Sequence, residues 1–566
     1  MTAKRLLTLL LALAMLLAML AGCAKEEPAV EEAPAVEESA PVEEAPPAEE
    51  APAEEEAPVE EVPAEPGVVD MSVYPVFEET RTITGMMTGR SETNILMNGD
   101  PTSSLAFKTV EEVCNVEFEF YASTEYSTQF SLMLAGGEYY DLLESPQNYV
   151  TGGIDAVVED DVCFDLTEWI PEYAPAYNSY LNLDSSFRKQ LTSDEGHLVT
   201  VTGYSPVSND GFVVRADWLE KLGMEKPMTY DQMHDVLVAF KTEFNPSAPF
   251  FIDAAFIWNN SCFTSGYGFV TDAMGFDLPW CVREGGEVFC PYQTDEYYDF
   301  LVMMKGWYDE GLIDHDFFTN GMIWEREKHV LGGNTGILVG VADMLTNAYK
   351  SQAADPDFRM EATYDIRMTE DQILNHGGTV TSVANQMGIG ISTQCEDPEL
   401  VLRVLDYTFT QEGQFKLTWG NEGETFEYGD DGKPHYTELI TDNPDGLTQD
   451  QALTVYFNLF PGSVNSKEKA LRTADNEEML ECYDIWCYNK TEELVYYGTL
   501  TTEENDIYGQ KSGDMLTYSN ESIIKMVTGT EPLSYYYDTF QPTMMSMGLE
   551  ELVALKQAAY DRYMAR

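Results

Sequence analysis

From Thr80 onward, short apolar segments alternate with amphipathic ones at close spacing, and this rhythm constrains the fold more than any other feature of the chain. Thr82–Met86 reads as a strand, and the segment from Ser103 to Cys114 reads as a helix capped by Ser103 or Ser104. Val116–Tyr121 alternates as a strand. Thr124–Leu134 is helical and stops at Gly136-Gly137, and Tyr139–Leu143 is a short strand ending at Glu144-Ser145. A helix follows over Ile154–Glu159. Further strands are expected at Gly211–Arg215, Gly336–Val341 and Met387–Ile391, and helices at Ala216–Gly223, Tyr230–Phe244, Asp295–Glu310, Pro398–Thr410 and Glu550–Met564. Strands separated by helices argue for an α/β protein with crossover connections. No internal repeat interrupts the pattern.

The beginning of the chain has a different character. Lys4 and Arg5 precede an apolar run from Leu6 to Leu20, which ends in Leu20-Ala21-Gly22-Cys23. The run is too short for a mature membrane span and has the layout of a secretory leader. Its ending resembles the bacterial lipobox, so residues 1–22 are expected to be removed and Cys23 to carry the lipid. Residues 24–66 hold 16 Glu, one Lys and no aromatic residue among repeated Pro and Ala, a composition that cannot build a core and extends by charge repulsion. This stretch reads as a tether, and residues 67–566 as the folded part.

The formal charge is −68; setting aside −15 for the tether and +2 for the leader leaves −55 on residues 67–566. A field of that sign disfavours nucleic acid and anionic lipid as partners. Solubility is its simplest use. Eight cysteines remain besides Cys23, and Cys281 and Cys290, flanking Gly285-Gly286, have the one spacing suited to a hairpin bridge. Cys482 and Cys487 fall on different faces of one expected helix.

Several catalytic classes lack their motifs. His-Glu-x-x-His and Gly-x-Ser-x-Gly are absent, and Gly332-Gly333-Asn334-Thr335-Gly336 lacks the Lys-Ser/Thr of a phosphate loop. The six histidines (197, 234, 315, 329, 376 and 435) stand singly, which argues against zinc. With 99 acidic residues, carboxylate pairs for glycoside hydrolysis occur everywhere and discriminate nothing.

Five stretches, in order along the chain, resemble the extracellular solute-binding proteins of sugar-type ABC importers, in their Gram-positive lipoprotein branch. They are Tyr140-Asp141-Leu142-Leu143 with the 159–167 and Tyr173-Ala174-Pro175 segments; Val213–Gly223 with Pro227 and Ala239-Phe240-Lys241; Tyr308–Asp314; Pro398–Gly413 with Trp419–Gly423 and Gly432-Lys433-Pro434; and Gly548–Leu552 with Tyr560–Tyr563. The resemblance implies a two-lobed type II periplasmic-binding fold with a cleft between lobes. Lobe one would hold about 80–212 and 391–460, and lobe two about 213–390 and 461–566. It also implies a non-enzymatic protein, lipid-anchored at the outer face of the cell membrane. Such a protein captures a carbohydrate, best read as an oligosaccharide, by hinge closure and passes it to permease subunits; a monomer is expected, with no cofactor. The alternatives are a secreted carbohydrate-active enzyme and a binder of a peptide or another solute. Relatives of this type carry an acidic calcium loop after the Ala-Phe-Lys helix. Here the place reads Thr242-Glu243-Phe244-Asn245-Pro246-Ser247-Ala248-Pro249, too poor in carboxylates for Ca²⁺.

Sugars are gripped by aromatic faces and by carboxylates, amides or guanidinium groups at their hydroxyls. Glu144-Ser145 and Thr88-Gly89-Arg90 follow strands whose ends would face the cleft, Tyr149 opens the next helix, and Arg215 stands at the expected crossing. Trp169, Trp218, Trp307 and Trp486 read as core. Trp258, Trp280, Trp324 and Trp419 sit among loop residues, cleft and core being equally compatible, and Glu422 lies beside Trp419. The candidate ligand contacts are therefore Arg90, Glu144, Ser145, Tyr149, Arg215, Trp258, Trp280, Trp324, Trp419 and Glu422.

Overall fold

The computed structural model describes residues 65–566, apart from 90–96, 98, 184, 206–209, 253–260, 271–276, 320–323, 376–387, 458–463, 465, 475, 492–493 and 497. Cys23, Arg90 and Trp258 therefore lie outside the described residues, as does the side chain of Trp324, whose backbone opens the helix Trp324–Leu331.

Two separate sheets organise the chain. In the first, the spatial order is Val116–Ser123, Arg81–Thr88, Leu142–Glu144, Gly388–Ile391 and Thr200–Thr202. The Arg81–Thr88 strand runs parallel to both of its neighbours, and Gly388–Ile391 runs antiparallel to both of its own. In the second sheet the order is Met360–Ala362, Asp210–Arg215, Thr335–Val341 and Ala248–Phe250. Here Asp210–Arg215 is antiparallel to both flanking strands, and Ala248–Phe250 is parallel to Thr335–Val341. Thus strand 388–391 returns the chain to the first sheet after the second is complete.

Local chemistry sets the helix ends. Ser104 caps Leu105–Cys114 by accepting from Phe107 N at 3.2 Å, and Asn115 ends that helix in the left-handed region at φ 56°. Ser103 instead closes a short 3₁₀ turn. Helix Tyr126–Gly136 stops at Gly137, φ 70°, where a left-handed residue costs least. Thr229 and Gln232 form a reciprocal capping box at the start of Tyr230–Phe244. One strand differs from expectation: the ladder covers Leu142–Glu144 rather than 139–143. Asp141 stands outside the ladder, its carboxylate accepting from Thr84 N at 2.8 Å and from Thr84 Oγ1 at 2.9 Å while its carbonyl accepts from Ser392 N at 2.9 Å, so residues 139–141 approach the sheet before joining it.

The C-terminal helices Ser512–Val527 and Leu549–Ala565 pack on the second sheet's side, where Met515, Ile523, Leu549 and Leu552 share one core with Phe240, Phe263 and Trp307. Trp486 is fully buried in an adjoining core with Val213 and Leu338, and its indole N–H donates to Phe212 O at 3.0 Å. Phe107, Ile83 and Leu142 anchor the first lobe's core with Tyr177 and Phe409. Cys114, Cys163, Cys281, Cys290, Cys395 and Cys482 form no disulfide among the described residues. The two short strands at 281–282 and 288–289 do form the expected hairpin, but Cys281 stands opposite Phe289, so the register offsets it from Cys290. Among the described residues no helix is long and apolar enough to cross a membrane.

Candidate functional site

The carboxyl ends of parallel strands collect loop backbone and side chains at one rim of a sheet, which is where open α/β sheets bind ligands. In the first lobe that rim is built from Thr88, Glu144, Ser145 and Tyr149. Glu144 is the last residue of its strand and is buried; its Oε2 accepts from Thr88 N at 2.6 Å, tying the ends of two adjacent strands together. Its carbonyl accepts from Tyr126 Oη at 2.7 Å. Ser145 then turns sharply, with φ 47° and ψ 49°, while its N–H donates to Gly388 O at 2.8 Å. Left-handed backbone at a residue other than Gly or Asn stores strain, which clusters at binding sites. Tyr149 packs its ring against Tyr126 and Phe130 at 5.0 and 5.3 Å. Burial, and then the negative charge of Glu144, holds the Tyr149 phenol above its usual range, so it stays a neutral hydroxyl at physiological pH. Hydroxyl, carboxylate and phenol thus meet at one strand-end rim.

A recess of about 240 Å³ opens on the second lobe beside the paired strands Leu374–Asn375 and Lys490–Thr491. Tyr267 and Phe269, stacked at 6.2 Å, help to wall it, with Arg283 and Asn375. Ser265 Oγ, also in its lining, is buried without a hydrogen-bond partner. None of these recess residues stands out in sequence, because single Ser, Tyr and Asn residues in loops carry no spacing signal.

Other expected contacts are used structurally. Arg215 has no exposed surface: its guanidinium pairs in bidentate fashion with Asp217 at 2.7 and 2.8 Å and reaches Asp355 at 2.9 Å. Trp218 and Phe358 cover its faces at 4.4 and 4.8 Å, and Nη1, the nitrogen without a partner, is sealed from solvent, so no donor reaches a ligand. Trp280 is buried, donates its indole N–H to Tyr508 Oη at 2.9 Å, and offers its ring to the Lys556 ammonium at 5.5 Å. That ammonium also lies over Tyr496 and Tyr508, so an internal cation occupies the aromatic cage a ligand would need. Trp419 is buried against Tyr436 at 4.9 Å, in a small module with Phe426, and Glu422 is exposed nearby. The structure therefore gathers Glu144, Ser145 and Tyr149 and separates them from Arg215, Trp280, Trp419 and Glu422.

Comparison with solved structures settles the architecture. An "HMO binding" ABC-transporter-associated solute-binding protein from Bifidobacterium longum infantis superposes with a TM-score of 0.65 at 16% identity, over 86% of this chain and 99% of that one. The fold is that of an extracellular solute-binding protein. Curated relatives of this solute-binding fold agree. The polygalacturonan/rhamnogalacturonan-binding protein YtcQ of Bacillus subtilis is 23% identical, over 73% of this chain and 80% of its own. The fructooligosaccharide ABC transporter substrate-binding protein FusA of Streptococcus pneumoniae is 20% identical, over 82% of this chain and 88% of its own. No family model matches the chain. The solute-binding fold accounts for two independent sheets joined by several chain crossings, each with a core of its own.

Proposed function

We propose that this chain is the extracellular, lipid-anchored solute-binding component of an ABC importer, and that it captures an oligosaccharide between its lobes. The observation that carries the reading is the Thr88–Glu144–Ser145–Tyr149 rim at strand ends of a two-lobed fold. The relatives' oligosaccharide and polysaccharide ligands supply the class. Cys23 carries the anchor, the tether lifts the lobes from the membrane, and permease subunits receive the ligand. The −55 charge on residues 67–566 favours uncharged sugars over polyuronates, since an anionic chain would meet repulsion on approach. The work of the site is binding without turnover.

A thermal-shift screen of neutral oligosaccharides, polyuronate fragments and peptides tests this. Ligand at about 100 times its Kd adds about 2.7 kcal/mol of stability, enough to move the melting point visibly. A response to neutral oligosaccharides, weakened by Glu144→Ala, is expected. A response to peptides alone would sink the carbohydrate assignment, and hydrolysis of the bound sugar would sink the binding-only reading.

A further inference from the structure

The turn from Ser193 to His197 in the first lobe presents Glu195 and His197 toward the helix Gly153–Glu159, which carries Asp155. One donor atom from each of Asp155, Glu195 and His197 lies within 4.8 Å of the other two. The imidazole is already oriented. Its Nδ1 sits 3.0 Å from Asp165 Oδ2, while Asp165 Oδ1 is held by Thr167 N, Thr167 Oγ1 and Leu198 N at 3.0, 2.6 and 3.1 Å. A carboxylate at Nδ1 keeps the proton of the neutral ring on that nitrogen and leaves the Nε2 lone pair free. Nε2 looks toward Glu195 Oε2 at 3.8 Å. In the same cluster, Asp155 Oδ1 is shut off from solvent and has no hydrogen-bond partner, a cost that a bound cation would remove.

We propose that Asp155, Glu195 and His197 bind one divalent cation of the zinc class, with Asp165 as the positioning residue. One imidazole nitrogen and two carboxylate oxygens suit zinc, with water in the fourth place. Ca²⁺ and Mg²⁺ require more oxygen ligands and do not favour imidazole. Zinc bonds of about 2.0–2.1 Å place tetrahedral donors about 3.3 Å apart, so the largely exposed Glu195 needs only a small rotation to close the shell. The proposal departs from the expectation of no zinc drawn from scattered histidines. Asp155 and His197 are far apart in sequence, and only the packing of the helix against the turn joins them.

The test is calorimetric titration of the chelator-treated full chain with zinc chloride alone, alongside Co²⁺ followed by visible absorption. Wild type is expected to take up one equivalent and to give the absorption bands of low-coordinate Co²⁺. His197→Ala should lose both, and Asp165→Asn should keep the stoichiometry but bind roughly 10–100-fold more weakly. No uptake by wild type, or an unchanged equivalent and spectrum in His197→Ala, overturns the site. Should His197→Ala fail to fold, Glu195→Gln decides: weakened uptake supports the site and unchanged uptake overturns it.

Discussion

Asp194, on a turn of the first lobe, is gripped by Arg566 at the end of the C-terminal helix: Oδ1 accepts from Arg566 Nη2 at 2.6 Å and from Nε at 3.0 Å. Its second oxygen accepts from Arg562 Nε at 2.5 Å, and Arg562 in turn holds Glu504 at 2.6 and 3.0 Å. The C-terminal helix belongs to the second lobe's core through Leu549, Leu552 and Tyr560. One carboxylate therefore ties the two lobes together. Asp194→Asn removes its charge and is expected to cost about 1–2 kcal/mol at low salt, the range of a partly exposed but bidentate network. Calorimetric melting in low and molar salt checks this: the gap to wild type should narrow as salt screens the pair. Equal melting points at low salt would refute the tie.

Arg215 is the reverse case, a cation with no route to solvent. Arg215→Lys keeps the charge but loses the bidentate geometry to Asp217 and the flat faces that Trp218 and Phe358 cover. A loss of about 2–4 kcal/mol in urea unfolding is expected. Ligand affinity of the folded variant should be unchanged; weakened binding without destabilisation would restore Arg215 to the ligand site.

Gly211 opens onto the face of Trp486. A β-carbon there would stand 2.3 Å from the indole Cδ1, a contact that must push either the second sheet or the tryptophan aside. Gly211→Ala is expected to destabilise by about 1–3 kcal/mol, the usual cost of overpacking. The urea midpoint measures it, and a neutral result would show that Trp486 moves freely.

Asp406 makes a pH dependence. Burial pushes its carboxyl up to about 7 from 3.8, only partly opposed by the backbone N–H groups of Tyr177 and Ala176 at 2.7 and 3.2 Å. Between these values the folded chain holds a proton that the unfolded chain has released. Its contribution therefore favours folding at low pH and is lost as pH rises through that window. Urea midpoints compared at about pH 5 and about pH 8 should show a smaller fall in Asp406→Asn than in wild type, although the introduced amide sacrifices one of the two backbone acceptances. Equal falls would place the titration elsewhere.

Much of the local structure was legible in sequence. The Ser104 cap, the Gly137 stop and the Thr229–Gln232 box lie within a few residues of what they satisfy, so the chain spells them out. The Leu142–Glu144 strand was misplaced at its start because Asp141 answers to Thr84, a partner in another strand. The Glu144–Ser145 rim was legible because strand ends in an α/β alternation face a known direction. Trp280 and Arg215 were not, since Lys556 and Asp355, which occupy them, are brought in by distant segments.

The sequence by itself determined the alternation of strands and helices, the acidic balance of residues 67–566 and the separate composition of residues 1–66. All of these follow from short-range hydrogen bonding, periodic burial and charge. Tertiary structure alone decided which carboxylate meets which cation: Asp194 with Arg566, and Asp355 with Arg215. The physical reason is that a polar side chain's preferences are generic. Any of many acids would satisfy an arginine, and only the packing of the sheets and helices selects one of them.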